Sequence, residues 1–144
     1  METDAHQKEI SVAFINDKSP VLDEICKSLT TSGTEILFRS ENIKDGLFQL
    51  SALKTLPKVC VIDLDFYDRN VLAQLQELRT QYPAIKLIAH SDIDEEKTVK
   101  ALLDLGFSGY VLLSDEIEKA IEIISNGKKY LSVGIMHILN SHLQ

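Results

Sequence analysis

The segment KVCVI, Lys58 to Ile62, is followed directly by Asp63. Four consecutive apolar residues in so short a run indicate a strand, and the lack of polar alternation indicates that both of its faces are buried. Strands of this kind are typical of parallel sheets covered by helices. The carboxyl ends of such strands meet at one edge, where ligands bind. The segment therefore predicts an α/β fold with Asp63 at its functional edge.

Four more short apolar runs alternate with amphipathic stretches, which predicts a strand followed by a helix five times. The other strands are predicted at residues 10–15, 35–38, 86–89 and 110–113. Gly106 and Gly127 are predicted to end the fourth and fifth helices. Short connections in this order require right-handed crossovers, so the pattern predicts a doubly wound parallel sheet with helices on both faces. Residues that commonly begin helices precede the helical stretches: Ser19-Pro20, Asn42, Asp68, Asp92 or Asp94, and Ser114.

The length of 144 residues suits one domain. We predict that residues 1–132 form this domain and that residues 133–144 form a helical extension or the start of a linker. The extension carries apolar residues at helical spacing, among them Val133 and Met136. Three aromatic residues are assigned to the core: Phe14, Phe38 and Phe48.

Composition limits the classes of function. A net charge of −7 argues against direct binding to the phosphate backbone of nucleic acids. Cys26 and Cys60 lie in apolar runs without a Cys-x-x-Cys spacing, which predicts buried thiols in a reducing compartment. The polar start METDAHQKE is no signal peptide, and no apolar run has the length of a membrane helix. We therefore expect a cytoplasmic domain without a membrane partner.

Polar residues gather just past the predicted strands. Asn16-Asp17 follows the first strand, Asp63 and Asp65 follow the third, and Ser91 follows the fourth. Clustered carboxylates either raise a pKa or hold a hard cation, and Mg²⁺ beside an aspartate suits phosphoryl transfer to that aspartate. The plainer interpretation, that these acids only cap helices and turns, stays open on spacing alone.

Several segments share a further pattern. They are residues 15–18, INDK; residues 60–64, CVIDL; residues 89–91, AHS; residues 106–110, GFSGY; and residues 126–132, NGKKYLS. Over about residues 10–132 the chain resembles the receiver domain of bacterial two-component response regulators. The segment at residues 126–132 resembles the corresponding segment of the NarL/FixJ class. The resemblance implies a flavodoxin-like, five-stranded parallel sheet in the order 2-1-3-4-5.

The resemblance also implies roles. Asp63 is the expected acceptor of a phosphoryl group, Ser91 the switch hydroxyl, and Tyr110 the switch aromatic, which turns inward when Ser91 is drawn toward the phosphate. Mg²⁺ is the expected cofactor. Its implied ligands are Asp17, Asp63, the backbone carbonyl of Asp65, and Asn16 through a water molecule.

Two departures from the family pattern weaken the implied site. Asn16 stands where the family has the first residue of an acidic pair, and Leu113 stands where it has a lysine that pairs with the phosphoryl group. A leucine cannot provide that charge. We therefore expect a degenerate phosphorylation site. His90 follows an apolar run and shares no metal-binding motif, so it is interpreted as a structural histidine.

The resemblance implies a signalling domain rather than an enzyme. Its expected partners are a histidine kinase or phosphotransfer protein, a second copy in a homodimer, and DNA only through a C-terminal domain that this chain does not include. The alternative is a pseudo-receiver, a protein-interaction module that works without phosphorylation. A flavodoxin-like small-molecule binder and a dinucleotide binder are disfavoured, because the first loop, Asn16 to Pro20, lacks their glycine-rich or hydroxyl-rich sequence.

Overall fold

The computed structural model describes residues 10–16, 20–64 and 70–141. The strands are β1 (Ser11–Ile15), β2 (Glu35–Ser40), β3 (Val59–Asp63), β4 (Lys86–His90), β5 (Gly109–Val111) and β6 (Tyr130–Leu131). The helices are α1 (Leu22–Thr31), α2 (Ile43–Ala52), α3 (Val71–Gln81), α4 (Glu96–Asp104), α5 (Ile117–Ser125) and α6 (Val133–Ser141).

The strands form one parallel sheet in the order β2-β1-β3-β4-β5-β6. The predicted doubly wound fold and the order of its first five strands are therefore confirmed. β6 is an addition, because two residues are too few to produce a pattern in the sequence. The order reverses between β1 and β3, so the carboxyl ends of these strands flank the switch point where doubly wound sheets bind ligands.

Two apolar clusters cover the two faces of the sheet. The first includes residues of α2, α3, α4 and α6, and the second includes residues of α1 and α5. β1 and β3 contribute alternate residues to the two clusters, since successive side chains of a strand point to opposite faces. Ala13 and Ile62 belong to the first cluster, and Phe14 and Val61 belong to the second. This burial on both faces is what the continuous apolar runs predicted.

The predicted extra helix in the C-terminal segment is present as α6. Ile135 is fully buried in the first cluster, and α6 contacts α4. A Cβ atom on Gly134 would lie 3.0 Å from Leu112 Cδ1, which shows how closely α6 approaches the end of β5. The helix thus packs against the sheet domain. The domain boundary at residue 132 stays a prediction.

Among the described residues, the predicted helix starts were right in one place and wrong in three. Asn42 caps α2, because its Oδ1 accepts a 2.7 Å hydrogen bond from Asp45 N. Asp92 and Asp94 do not begin α4, which starts at Glu96 after an extended Glu95. Ser114 does not cap α5 and instead opens a 3-10 turn, Ser114–Glu116, before α5 begins at Ile117. Acidic and hydroxyl residues suit both caps and turns, so sequence alone misplaced these starts. Pro20, predicted to begin α1, lies in a turn, and α1 begins at Leu22. Ser19 and Asp68 lie outside the described residues.

Core predictions were mostly confirmed. Cys26 and Cys60 are buried, and Phe14 is fully buried. Phe38 is partly buried against the first cluster. Phe48 was wrongly assigned to the core: its side chain lies on the outer face of α2 and is 71% exposed. No helix in residues 10–16, 20–64 and 70–141 is long and apolar enough to cross a membrane.

Candidate functional site

Asp63 is the last residue of β3 and lies at the carboxyl edge of the sheet. The four strand residues before it are fully buried, whereas the Asp63 side chain is 31% exposed. Its carboxylate therefore meets solvent while the backbone is fixed by the sheet. Leu64 N continues the ladder by donating a 3.0 Å hydrogen bond to His90 O. Asp63 thus presents an accessible carboxylate at the end of a buried strand.

Asn16 connects the end of β1 to Asp63. Its Nδ2 donates a 2.8 Å hydrogen bond to the backbone oxygen of Asp63, and its own backbone N donates to Ser40 O at 2.9 Å. The φ angle of Asn16 is +65°, a left-handed conformation that asparagine tolerates better than most residues. Asparagine therefore suits both the turn and the link between strands.

Asp17 and Asp65, two of the predicted metal ligands, lie outside the described residues. Within residues 10–16, 20–64 and 70–141 there is no group of three or more His, Cys, Asp or Glu side chains that could hold a metal ion. Of the predicted ligand set, the structure therefore brings together Asn16 and Asp63.

Ser91 and Tyr110 both form hydrogen bonds with the backbone of Ile93, in the loop between β4 and α4. Ser91 Oγ accepts a 3.0 Å hydrogen bond from Ile93 N, and the Tyr110 hydroxyl donates to Ile93 O. Ser91 is almost fully buried. The two residues named as switch hydroxyl and switch aromatic thus hold the same backbone segment.

Tyr110 points inward from β5, and its side chain is fully buried in the first apolar cluster. Burial raises the pKa of the Tyr110 hydroxyl, a hydrogen bond with Ser91 lowers it, and the nearby carboxylates of Asp94 and Asp92 raise it further. The hydroxyl is therefore neutral at physiological pH and available as a donor. The inward orientation is the one that the family resemblance links to a phosphorylated state.

Leu113, at the family's lysine position, lies two residues past the end of β5. Its backbone is extended, and its side chain is 61% exposed. It offers no hydrogen-bond donor to a group bound at Asp63.

Two further polar arrangements were not found by sequence reasoning. His90 Nδ1 lies 4.0 Å from Asp63 Oδ2, a proximity set by strand register that only the sheet reveals. Glu116 accepts hydrogen bonds from Tyr130 Oη and Ser132 Oγ, both at 2.8 Å. The segment NGKKYLS, residues 126–132, was a sequence signal that could have directed attention to Tyr130 and Ser132.

Known bacterial regulatory proteins are similar in sequence to this chain. No family model matches the chain. It is 28% identical over 146 residues to the transcriptional regulatory protein DegU of Brevibacillus brevis, a match covering 96% of this chain and 60% of the relative. It is 25% identical to the response regulator GacA of Pseudomonas protegens, covering 85% of this chain and 59% of the relative. The chain thus spans about three fifths of the length of these relatives.

The fold matches solved receiver structures. The isolated REC domain of RcsB from Salmonella enterica serovar Typhimurium, solved with the phosphomimetic BeF3⁻, has a TM-score of 0.76 at 21% identity, over 89% of this chain and 96% of that one. RcsB bound to promoter P1flhDC has a TM-score of 0.77 at 22% identity, over 92% of this chain and 67% of that one. The fold is therefore that of a receiver domain. The curated relatives to which the chain is similar include response regulators.

Proposed function

We propose that this chain is a phosphorylation-controlled receiver, with Asp63 as the residue that accepts the phosphoryl group. The observation that carries the proposal is the position of Asp63, whose accessible carboxylate stands at the carboxyl end of the buried central strand β3. Ser91 and Tyr110, the proposed switch residues, lie past β4 and on β5, and both form hydrogen bonds with the backbone of Ile93. A charge change at Asp63 that draws on Ser91 would therefore act directly on the loop before α4.

Mg²⁺ is the cofactor we propose. Receiver domains of this family typically bind it. Asp63 supplies the hard carboxylate oxygen that Mg²⁺ prefers. Asn16 would act through a water molecule by its Oδ1, because its Nδ2 is engaged with the Asp63 carbonyl. Asp17 and the backbone carbonyl of Asp65 would complete the set. When bound, the ion neutralises charge on the transferring phosphoryl group.

The proposed partners follow from the relatives. A histidine kinase or phosphotransfer protein would supply the phosphoryl group in the cytoplasm. Because the relatives in the comparison include a transcriptional regulatory protein, and RcsB has been solved on promoter DNA, we propose that the output is transcription. DNA would be contacted by a C-terminal domain that this chain does not include. The receiver itself would occupy residues 1–132, followed by α6.

Intact mass measured after incubation with Mg²⁺ and acetyl phosphate tests the acceptor. We expect the mass of one phosphoryl group on the wild type and none on Asp63→Ala. Asp104→Ala, which removes an exposed carboxylate at the end of α4, is the matched control and should be labelled normally. A folded wild type that gains no mass with Mg²⁺ would contradict the proposal.

A homodimer is the proposed consequence of phosphorylation. Light scattering after size exclusion, with and without beryllofluoride as a phosphate mimic, tests it. We expect a larger mass with the mimic. A monomer in both conditions at high concentration would exclude a receiver dimer, without bearing on acceptance of phosphate by Asp63.

The second candidate function is a pseudo-receiver that binds partners without phosphorylation. Two observations favour it: Leu113 replaces the family's lysine, and Tyr110 already occupies its inward position. A receiver held in one conformation needs no phosphate to present its surface. The mass experiment separates the two candidates, because only the first requires modification of Asp63.

A further inference from the structure

His90 is the side chain of β4 that faces the acceptor. Asp63 and His90 are register partners in the parallel pair β3–β4, so their side chains project from the same face of the sheet. His90 Nδ1 lies 4.0 Å from Asp63 Oδ2. The histidine side chain is 13% exposed, compared with 31% for the aspartate. The imidazole is therefore held beside the carboxylate and is largely buried.

His90 also stands between Asp63 and the position of the missing lysine. Val61, Ile88 and Val111 all pack in the second apolar cluster. They precede Asp63, His90 and Leu113, respectively, by two positions. Side chains two apart on a strand share a face. Since β4 lies between β3 and β5, His90 occupies the central strand of the three on this face. It brings an imidazole nitrogen to 4.0 Å from the Asp63 carboxylate.

An imidazole, like a lysine ammonium group, can donate an N–H hydrogen bond to a phosphoryl oxygen. It carries one N–H donor even when neutral, so the role does not require a charged histidine. The 4.0 Å separation is longer than a hydrogen bond, which leaves space for a phosphoryl oxygen to approach the ring. In the transfer, an Asp63 carboxylate oxygen forms a bond to phosphorus. The bond from phosphorus to the acetate oxygen of acetyl phosphate breaks, and acetate leaves with the electron pair.

We infer that His90 positions the phosphoryl group at Asp63 by hydrogen bonding, in place of the lysine that Leu113 replaces. This inference rests on the proposed phosphorylation of Asp63. It also revises the sequence-based interpretation of His90 as a structural residue. The site is then less degenerate than its sequence indicates, because a donor on β4 takes over from one past β5.

Four variants test this role: His90→Ala, His90→Gln, Leu113→Lys and the double variant His90→Ala/Leu113→Lys. The measured quantity is the rate of phosphoryl uptake from acetyl phosphate with Mg²⁺, followed by intact mass. We expect His90→Ala to slow uptake by about ten-fold, the effect of one hydrogen bond to a charged group. His90→Gln, which retains an N–H donor, should lose less.

Rescue by Leu113→Lys separates this role from a structural one. A lysine at position 113 should restore most of the rate lost in His90→Ala, because it returns a donor to the same face. It cannot repair a packing defect around β4. If His90→Ala folds poorly, the comparison of His90→Gln with and without Leu113→Lys replaces it. A double variant no faster than His90→Ala would overturn the inference.

The outcomes also separate the inference from the proposed function. Labelling of the wild type at Asp63 together with an unchanged rate in His90→Ala would overturn the role of His90 and leave the receiver function standing. No labelling of the folded wild type would overturn both.

Discussion

The side-chain amide of Asn16 donates a 2.8 Å hydrogen bond to the backbone oxygen of Asp63. The first residue after β1 thereby fixes the last residue of β3 at the switch point of the sheet. The family's acidic residue at this position could not donate this bond when ionised. Asn16 therefore exchanges a charge near the proposed metal for a direct link between two strands.

The exchange predicts opposite effects of Asn16→Asp on stability and on metal binding. The carboxylate would face the Asp63 carbonyl without a proton to share, so we expect a loss of about 1–3 kcal/mol of unfolding free energy in EDTA. Added Mg²⁺ should raise the melting temperature of the variant more than that of the wild type. Asn16→Gly, which keeps the left-handed backbone but lacks both groups, is the control. Equal Mg²⁺ effects in all three proteins would contradict the prediction.

The hydroxyl of Tyr110 predicts a pH-dependent stability. Burial raises the pKa of this group above its ordinary value of 10, so the neutral form stabilises the fold below about pH 10. That contribution is lost as the pH rises through the folded-state pKa. Urea denaturation should show wild-type stability falling more steeply above pH 10 than that of Tyr110→Phe.

At pH 7 Tyr110→Phe should cost about 1 kcal/mol, because the Ile93 carbonyl loses a hydrogen bond. Since the other tyrosines titrate in both proteins, the difference between the two pH profiles isolates Tyr110. Parallel profiles would show that its hydroxyl ionises equally in the folded and unfolded chains.

We expect the hydrogen bonds of the Glu116 carboxylate to stabilise the packing of β6 and α6 against the domain. The carboxylate accepts hydrogen bonds from Tyr130 and Ser132, and Ser132 O in turn accepts from Ile135 N and Met136 N at the start of α6. Glu116→Ala should cost about 1–2 kcal/mol and speed amide exchange at Ile135 and Met136. Glu118→Ala, in the first turn of α5, is the control. Unchanged exchange in Glu116→Ala would mean that packing alone holds α6.

Gly109, at the start of β5, lies where there is no space for a larger side chain. A Cβ atom there would lie 2.5 Å from Ile124 Cδ1 and 3.1 Å from Tyr130 O. Gly109→Ala should therefore lose about 1–3 kcal/mol of unfolding free energy as α5 and β6 are displaced. Ile124→Val removes the Cδ1 atom, so the double variant should be more stable than the sum of the two single effects predicts. Simple additivity in this cycle would contradict the close contact.

Burial of Cys60 predicts an inert thiol. Desolvation raises the pKa of Cys60 to about 12, and the charge of Arg79 lowers it by less. At pH 8 about one thiol in ten thousand is then ionised, and the thiolate is the reactive form. Peptide mapping after N-ethylmaleimide treatment should find Cys60 unmodified in the folded protein and modified in urea. Cys26, which is 8% exposed whereas Cys60 is fully buried, should react sooner. Equal reaction of the two thiols in the folded protein would contradict the burial of Cys60.

Much of the architecture could be predicted from the sequence. Runs such as the one ending at Asp63 encode strand burial locally, because an apolar run without alternation fits only a strand covered on both faces. Asn42 and Gly127 marked the start of α2 and the end of α5 correctly, since caps depend on a few neighbouring residues. The prediction that Phe48 lies in the core failed, because one apolar residue on an amphipathic helix does not reveal which side of the helix faces the core.

The roles of Asn16 and His90 depended on tertiary structure. Their contacts with Asp63 span 47 and 27 positions of the chain and arise from strand register, which no local pattern encodes. The sequence by itself determined a doubly wound sheet with Asp63 at its edge, because burial and turn preferences act over a few residues. Only the tertiary structure decided which polar groups surround that carboxylate, because pairing of distant strands sets those distances.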